Sequence, residues 1–161
     1  MKLRLLQMMC WLPMLVACSA TTPSNGGETP TAPVVATAAV VDAGSLATHH
    51  WRLQRAMDRE GRRIDALFVR ADLPVQLDFN EGRLAVLNAC NRIGGSFEIE
   101  NDRLIVGAMI STKMACADPA LTNLDRAISE RLQGSLRIEF SADTPPRLRL
   151  LTEGGDTLEF I

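Results

Sequence analysis

From Trp51 to the last residue, large apolar side chains recur at every second position in short runs, and turn-forming residues separate the runs. Period two marks a strand with one face in a core and the other in water, so this stretch is constrained to an antiparallel sheet. Val75, Leu77 and Phe79 alternate, Asn80-Glu81-Gly82 turns the chain, and Leu84 to Leu87 begins the return. Phe97 and Ile99 precede Asn101-Asp102, with Leu104 and Val106 beyond, which predicts a hairpin with a two-residue loop. Leu136, Ile138 and Phe140, then Leu148 with Leu150, then Leu158 with Phe160 repeat the pattern around Pro145-Pro146 and Gly154-Gly155 as a meander.

One helix interrupts the strands over about residues 119–133. Asp118 is placed as its N-cap, Pro119 at its first position and Gly134 just past its end. Leu121, Leu124, Ile128 and Leu132 give one apolar stripe, predicted to lie on the sheet. Asn123, Asp125, Arg126, Ser129 and Glu130 are expected to face water. Gly94-Gly95 lacks the strand-loop-helix setting of a phosphate loop and reads as a turn.

The first residues have another pattern. Lys2 and Arg4 precede an apolar run over residues 5–16 broken only by Gln7 and Pro13, the layout of a signal peptide spanning 1–17. The run falls short of the ~20 helical residues needed to cross a bilayer core, so an export leader is preferred to a permanent span. Leu15-Val16-Ala17-Cys18 resembles a lipobox, which implies cleavage before Cys18 and lipid on its sulfur. An ordinary secretory signal ending near a cysteine is the alternative. Acyl chains contribute ~0.8 kcal/mol per buried CH₂, so lipid on Cys18 would hold the chain to a membrane almost permanently. Ser19 in place of Asp resembles leaders sorted to the outer membrane of Gram-negative cells, facing the periplasm.

Residues 19–48 are rich in Thr, Ala, Pro and Gly, with Pro23, Pro30 and Pro33 and almost no large apolar side chain before Leu46. Such a composition does not offset its ordering entropy. The expected organisation is a lipidated N-terminus and flexible tether over 18–48 and a folded domain over 49–161. Loss of Lys2 and Arg4 with the leader leaves 15 basic against 19 acidic residues, a net charge of −4. Basic side chains are scattered among carboxylates, which argues against nucleic acid as a partner.

Two segments carry a resemblance: Asn88-Ala89-Cys90-Asn91-Arg92-Ile93-Gly94-Gly95-Ser96 and Ser111-Thr112-Lys113-Met114-Ala115-Cys116. With Trp51-Arg52-Leu53 as an opening strand, they resemble the META domain (HslJ-like) lipoprotein family from Trp51 onward. The resemblance implies a mainly β (α+β) fold, a curved antiparallel sheet or incomplete β-barrel with one packed α-helix. Ala89 replaces the commoner Gly before the cysteine, and residues 58–73 form a longer insertion. The family brings no established catalytic residues and is associated with stress and envelope phenotypes.

With Cys10 discarded in the leader and Cys18 lipidated, Cys90 and Cys116 are the remaining thiols, and an oxidising periplasm favours a disulfide between them. Two buried, unpaired cysteines are the alternative. Asn88, Asn91 and Arg92 beside Cys90 form a candidate binding patch, or else satisfy loop backbone groups. No metal or cofactor is expected, since a metal would need more ligands than these and the two histidines, His49 and His50, sit together at the end of the tether. For the same reason a nucleophile-histidine enzyme is disfavoured.

The function expected is a non-enzymatic envelope module, a binding or chaperone-like lipoprotein in stress tolerance, held to the membrane by its lipid and taking a protein or hydrophobic ligand. The alternative is an inhibitor or scaffold that docks one specific protein. Cys18→Ser is expected to abolish incorporation of labelled fatty acid and to leave uncut precursor; labelling that persists would rule out the lipid assignment.

Overall fold

The structure, a computed structural model, describes residues 41–161; the leader, Cys18 and the expected tether up to residue 40 lie outside the described residues. Among the described residues no helix is long and apolar enough to cross a membrane. A short helix, α1 (Ala43–Ala47), leads into β1 (Trp51–Met57), β2 (Gln76–Asn80) and β3 (Arg83–Leu87). Then come β4 (Ile93–Glu100), β5 (Arg103–Val106) and the two-residue β6 (Ile110–Ser111). Helix α2 (Pro119–Leu132) precedes the meander of β7 (Gly134–Ser141), β8 (Arg147–Leu151) and β9 (Thr157–Phe160).

The strands pair in the order β3-β2-β1-β9-β8-β7-β5-β4, and β3 pairs with β4, so the sheet closes into an eight-stranded antiparallel barrel. The expected curved sheet or incomplete barrel with one packed helix is thus present as a closed ring. Both anticipated tight hairpins form: Asn80 pairs with Arg83 around Glu81-Gly82, and Glu100 with Arg103 around Asn101-Asp102. Glu81, Gly82 and Asn101 take the positive φ values that two-residue hairpin turns require.

β1 and β4 are the corners of the ring, because each serves two neighbours in succession. Trp51 and Arg52 pair with β2, then Leu53 to Met57 pair with β9 across a register shift between Leu53 and Arg55. Ile93 to Ser96 pair with β3, whereas Phe97 to Glu100 pair with β5. Gly94 and Gly95 lie inside β4 at its corner, not in a turn as expected. A Cβ on Gly94 would stand 2.8 Å from the Leu84 carbonyl oxygen, and one on Gly95 3.1 Å from Met109 Sδ. Missing side chains let the neighbouring backbone approach there.

Inward side chains fill the barrel, among them Leu77, Phe79, Leu84, Phe97, Leu104, Leu136 and Leu148. Phe79 and Phe97 meet edge to face at 5.1 Å, the geometry their ring quadrupoles favour. Asp118 caps α2 by accepting from Ala120 N at 2.8 Å, and Gly134 follows its end at φ 101°. Leu124, Ile128 and Leu132 join the barrel's core cluster, and Leu121 is half-buried. The closest backbone neighbour of α2 is a 3₁₀ turn at Asp65–Leu67 rather than a strand. Residues 58–73 contain that turn, whose buried Leu67 joins the core cluster with Ile64, Ala66 and Phe68 packed against it.

The packed unit begins earlier than the expected boundary at residue 49. Val41 and Leu46 are buried, and the Trp51 indole Nε1 donates to the Leu46 carbonyl at 3.0 Å. A lone Leu in a run of small residues gave no periodic signal, yet one turn of helix suffices to place it. Asp42 makes that turn by accepting from the Ser45 hydroxyl and amide, both at 2.7 Å, while the Ser45 hydroxyl accepts from Asp42 N. These bonds, the hydroxyl's first, hold the Asp42 carboxyl below the usual carboxylate range. A lowered folded value means the cap contributes above the ordinary carboxylate pKa and is lost as pH falls through the lower one.

Leu46→Ala is expected to cost about 2–5 kcal/mol of stability, as for a fully buried leucine. It should also shift Trp51 emission to the red in protein freed of its leader. Unchanged denaturation and emission would mean that α1 does not contribute to the core.

Candidate functional site

The two cysteine segments meet at the end of β3, where α2 passes. Asn88 follows β3 with a left-handed backbone, φ 65°, and its Nδ2 donates to the Pro74 carbonyl at 2.8 Å, which ties this turn to the chain ahead of β2. Cys90 is joined to Cys116 by a disulfide with Cα atoms 6.0 Å apart. The bonded form, of the two expected, is the one present.

The centre of the site is Asp125, which was expected to face water. It is the charged residue buried among the described residues, at 7% exposure. Cys90 N donates to its Oδ1 at 2.9 Å, Asn91 N to its Oδ2 at 3.0 Å, and Asn91 Nδ2 to Oδ2 at 2.8 Å. Three N–H donors replace the water a carboxylate loses on burial, and hydrogen bonds to a charged acceptor are the stronger kind. Asn91 Oδ1 accepts from the Thr112 hydroxyl at 2.8 Å and from Met114 N at 2.7 Å. Thr112 Oγ1 accepts from Arg92 N, and Thr112 N donates to the Arg92 carbonyl, each at 3.1 Å. One polar cluster therefore joins the β3–β4 turn, the loop of residues 107–117 and the middle of α2.

This geometry divides the predicted patch. Asn88 and Asn91 spend their side chains on internal bonds. Arg92 is exposed, and its guanidinium makes no ion pair among the described residues. Beside it the sequence reading missed three residues: Ile110 is 70% exposed, Met114 is 58% exposed, and Lys113 is exposed between them. Ile110 pairs with Gly94, so no side chain on β4 covers it. Leu87 is also exposed, one step beyond the last pair of the β3–β4 ladder.

Asp125 had a signal. It stands four residues after Leu121 and three before Ile128, inside the apolar stripe, and a carboxylate at such a position needs buried donors. Ile110 and Met114 had none, because exposure of a short strand depends on what lies across from it.

The two sulfurs and the Asp125 carboxylate lie within 4.8 Å of one another. Their capacity as ligands is used, by the disulfide on one side and by N–H donors on the other. The histidines are elsewhere: His50 Nδ1 is 2.9 Å from Asp78 Oδ1, and His49 packs on Trp51 with ring centroids 5.0 Å apart. Two open depressions mark the surface. One of about 430 Å³ is lined by Phe140, Leu148, Phe160 and Ile161 together with the charged Glu139, Arg147, Arg149 and Glu159, and a polar one of about 330 Å³ surrounds the Arg131–Asp156 ion pair, 2.8 Å long.

The disulfide closes a loop of sequence separation 26, which the chain-entropy account equates to roughly 3–4 kcal/mol. Asp125→Ala leaves three donors short of a partner and is expected to cost at least about 2 kcal/mol. Because both features hold the Cys90–Asn91 turn, Asp125→Ala combined with the double variant Cys90→Ser/Cys116→Ser should fall short of additivity in thermal or denaturant melts. Strict additivity would mean that they act independently.

Residues 44–161 match the META domain. Over 70 residues the chain is 31% identical to the heat shock protein HslJ of Escherichia coli (strain K12), a match that covers 44% of this chain and half the length of that relative. A protein from Burkholderia xenovorans solved by NMR superposes with a TM-score of 0.61 at 23% identity, over 86% of this chain and 97% of the other. A second NMR structure gives a TM-score of 0.53 at 25% identity, over 74% and 94%. With the barrel, the α2 stripe and the Cys90–Cys116 link all inside the matched residues, the chain belongs to the META domain family.

Proposed function

We propose that this chain is a non-enzymatic, lipid-anchored module of the cell envelope that binds through the face around residues 107–117 and serves stress tolerance. The observation that carries the reading is the exposure of Ile110 and Met114 on a segment that the disulfide and Asn91 hold in place. Large apolar side chains left in water on a fastened loop favour a contact surface over a passive turn. Filled with its own side chains, the barrel favours recognition on its outside. The signal-like first residues and the resemblance of Leu15-Val16-Ala17-Cys18 to a lipobox support the envelope location, and the stress duty rests on the heat shock protein to which the chain is similar.

A non-catalytic role is supported by the spent groups. Asp125 uses both carboxylate oxygens on N–H donors, and His50 is occupied with Asp78. The second reading, an inhibitor or scaffold for one specific protein, draws on the same fastened loop, since a preordered surface loses little entropy on docking.

In a strain lacking the protein, the wild-type chain should restore growth under heat or envelope stress. Ile110→Ser/Met114→Ser should not restore it, while melting as the wild type does. Full complementation by that double variant would remove the loop from the function.

A further inference from the structure

Resting on that reading of the loop as the binding surface, we propose that its occupant is an anionic phospholipid surface, into which Ile110 and Met114 insert while Lys113 and Arg92 meet lipid phosphates. Charge is the first reason. The domain is acidic overall, yet residues 85–97 and 107–117, which carry Leu87, Arg92, Ile110, Lys113 and Met114, contain no Asp or Glu. Lys113 is the lone lysine outside the leader, and it stands between the two most exposed large apolar residues of the described chain. Apolar tips flanked by cations are what an anionic interface selects, since each cation near such a surface adds to what apolar insertion contributes.

Size is the second reason. Leu87, Ile110 and Met114 with two cations fall far short of the 20–30 residues a side that a stable protein interface engages. A membrane asks for less when the chain is already tethered, because the second contact is intramolecular and weak contributions suffice. The roughly two dozen residues from Cys18 to Val41 reach at most about 80 Å when fully extended, so the loop can return to the bilayer that holds the lipid.

Shape is the third. The loop is fastened at Thr112 and Met114, both bonded to Asn91, and at Cys116, which restricts where Ile110 and Met114 point and spares their ordering cost at the interface.

The test uses the full chain, expressed with its leader, purified from membranes and reconstituted into vesicles. Single variants Ile110→Trp, Met114→Trp and Ile161→Trp are compared, with Trp51 as a buried background and unchanged melting as the check of folding. In vesicles of brominated phosphatidylcholine mixed with phosphatidylglycerol, Trp at 110 and 114 should lose about half of its emission and shift to the blue, and Trp at 161 should not. Arg92→Glu/Lys113→Glu should abolish the advantage of anionic over purely zwitterionic vesicles. Equal quenching at all three positions, none at 110 and 114, or indifference to the charge reversals overturns the lipid assignment. Intact mass of the same sample reports the acyl groups on Cys18 separately. Absent quenching with protein adducts from a photocrosslinker at position 114 in cells would transfer the face to a protein partner and leave the binding-module reading standing.

Discussion

The Asp125 carboxylate is the point on which the arrangement of this domain turns. A charge placed two turns into an apolar helix face costs several kcal/mol unless donors meet it, and only one orientation of α2 brings it to the amides of Cys90 and Asn91. Leu124, Ile128 and Leu132 provide the driving force for burying the helix but tolerate some rotation and sliding, because hydrophobic burial is not directional. The carboxylate removes that freedom. Cys116, two residues ahead of the N-cap, is bonded to Cys90 beside the same amides, so the helix is fixed at its approach and in its middle.

The barrel constrains the same region from the other side. β4 must leave β3 and take up β5 within eight residues, and it does so through Gly94-Gly95, where the absence of Cβ atoms lets three backbones crowd together. That crowding gives β6 its place on β4 and sets Ile110 against a residue with no side chain. Closing the ring at β4 and exposing an apolar residue on its outside are therefore one event, since the glycine needed for the first leaves nothing to cover the second.

Much of the barrel was legible in the sequence because strands report their buried face by alternation, and two-residue turns report themselves by Asn, Asp and Gly. Caps and the core stripe of α2 were legible for like reasons: Asp118, Pro119 and Gly134 act within a few residues of where they stand. What was not legible depends on partners distant in the chain. Closure by β3 with β4 and the passage of β1 from β2 to β9 are decided by pairing across the ring. Leu46 looked like part of a tether because its burial requires Trp51 and a single turn of helix, too short for any periodicity. Residues 58–73, opaque as sequence, hold the 3₁₀ turn that lies beside α2. Asp125 was visible as an anomaly of spacing and was read as solvent-facing because two of its three donors are backbone amides, which every residue carries and no side-chain pattern announces.

For function, the consequence is a division of labour between interior and surface. A barrel of eight strands has room either for a small ligand or for its own side chains, and here Phe79, Phe97 and the leucines take the space. The proposed recognition falls to the outside, where ion pairs such as Arg149 with Glu139 and Arg137 with Asp102 are partly exposed and contribute little. The 107–117 loop differs from that background in being apolar, free of carboxylates and fastened at three points. Holding such a loop still reduces the entropy lost when it meets a surface, so under the proposed binding role the bonds of Asn91 and the Cys90–Cys116 link would act on binding as well as on folding. Stability and the proposed contact thus draw on the same few atoms, and a change that loosens the cluster around Asp125 would weaken both together.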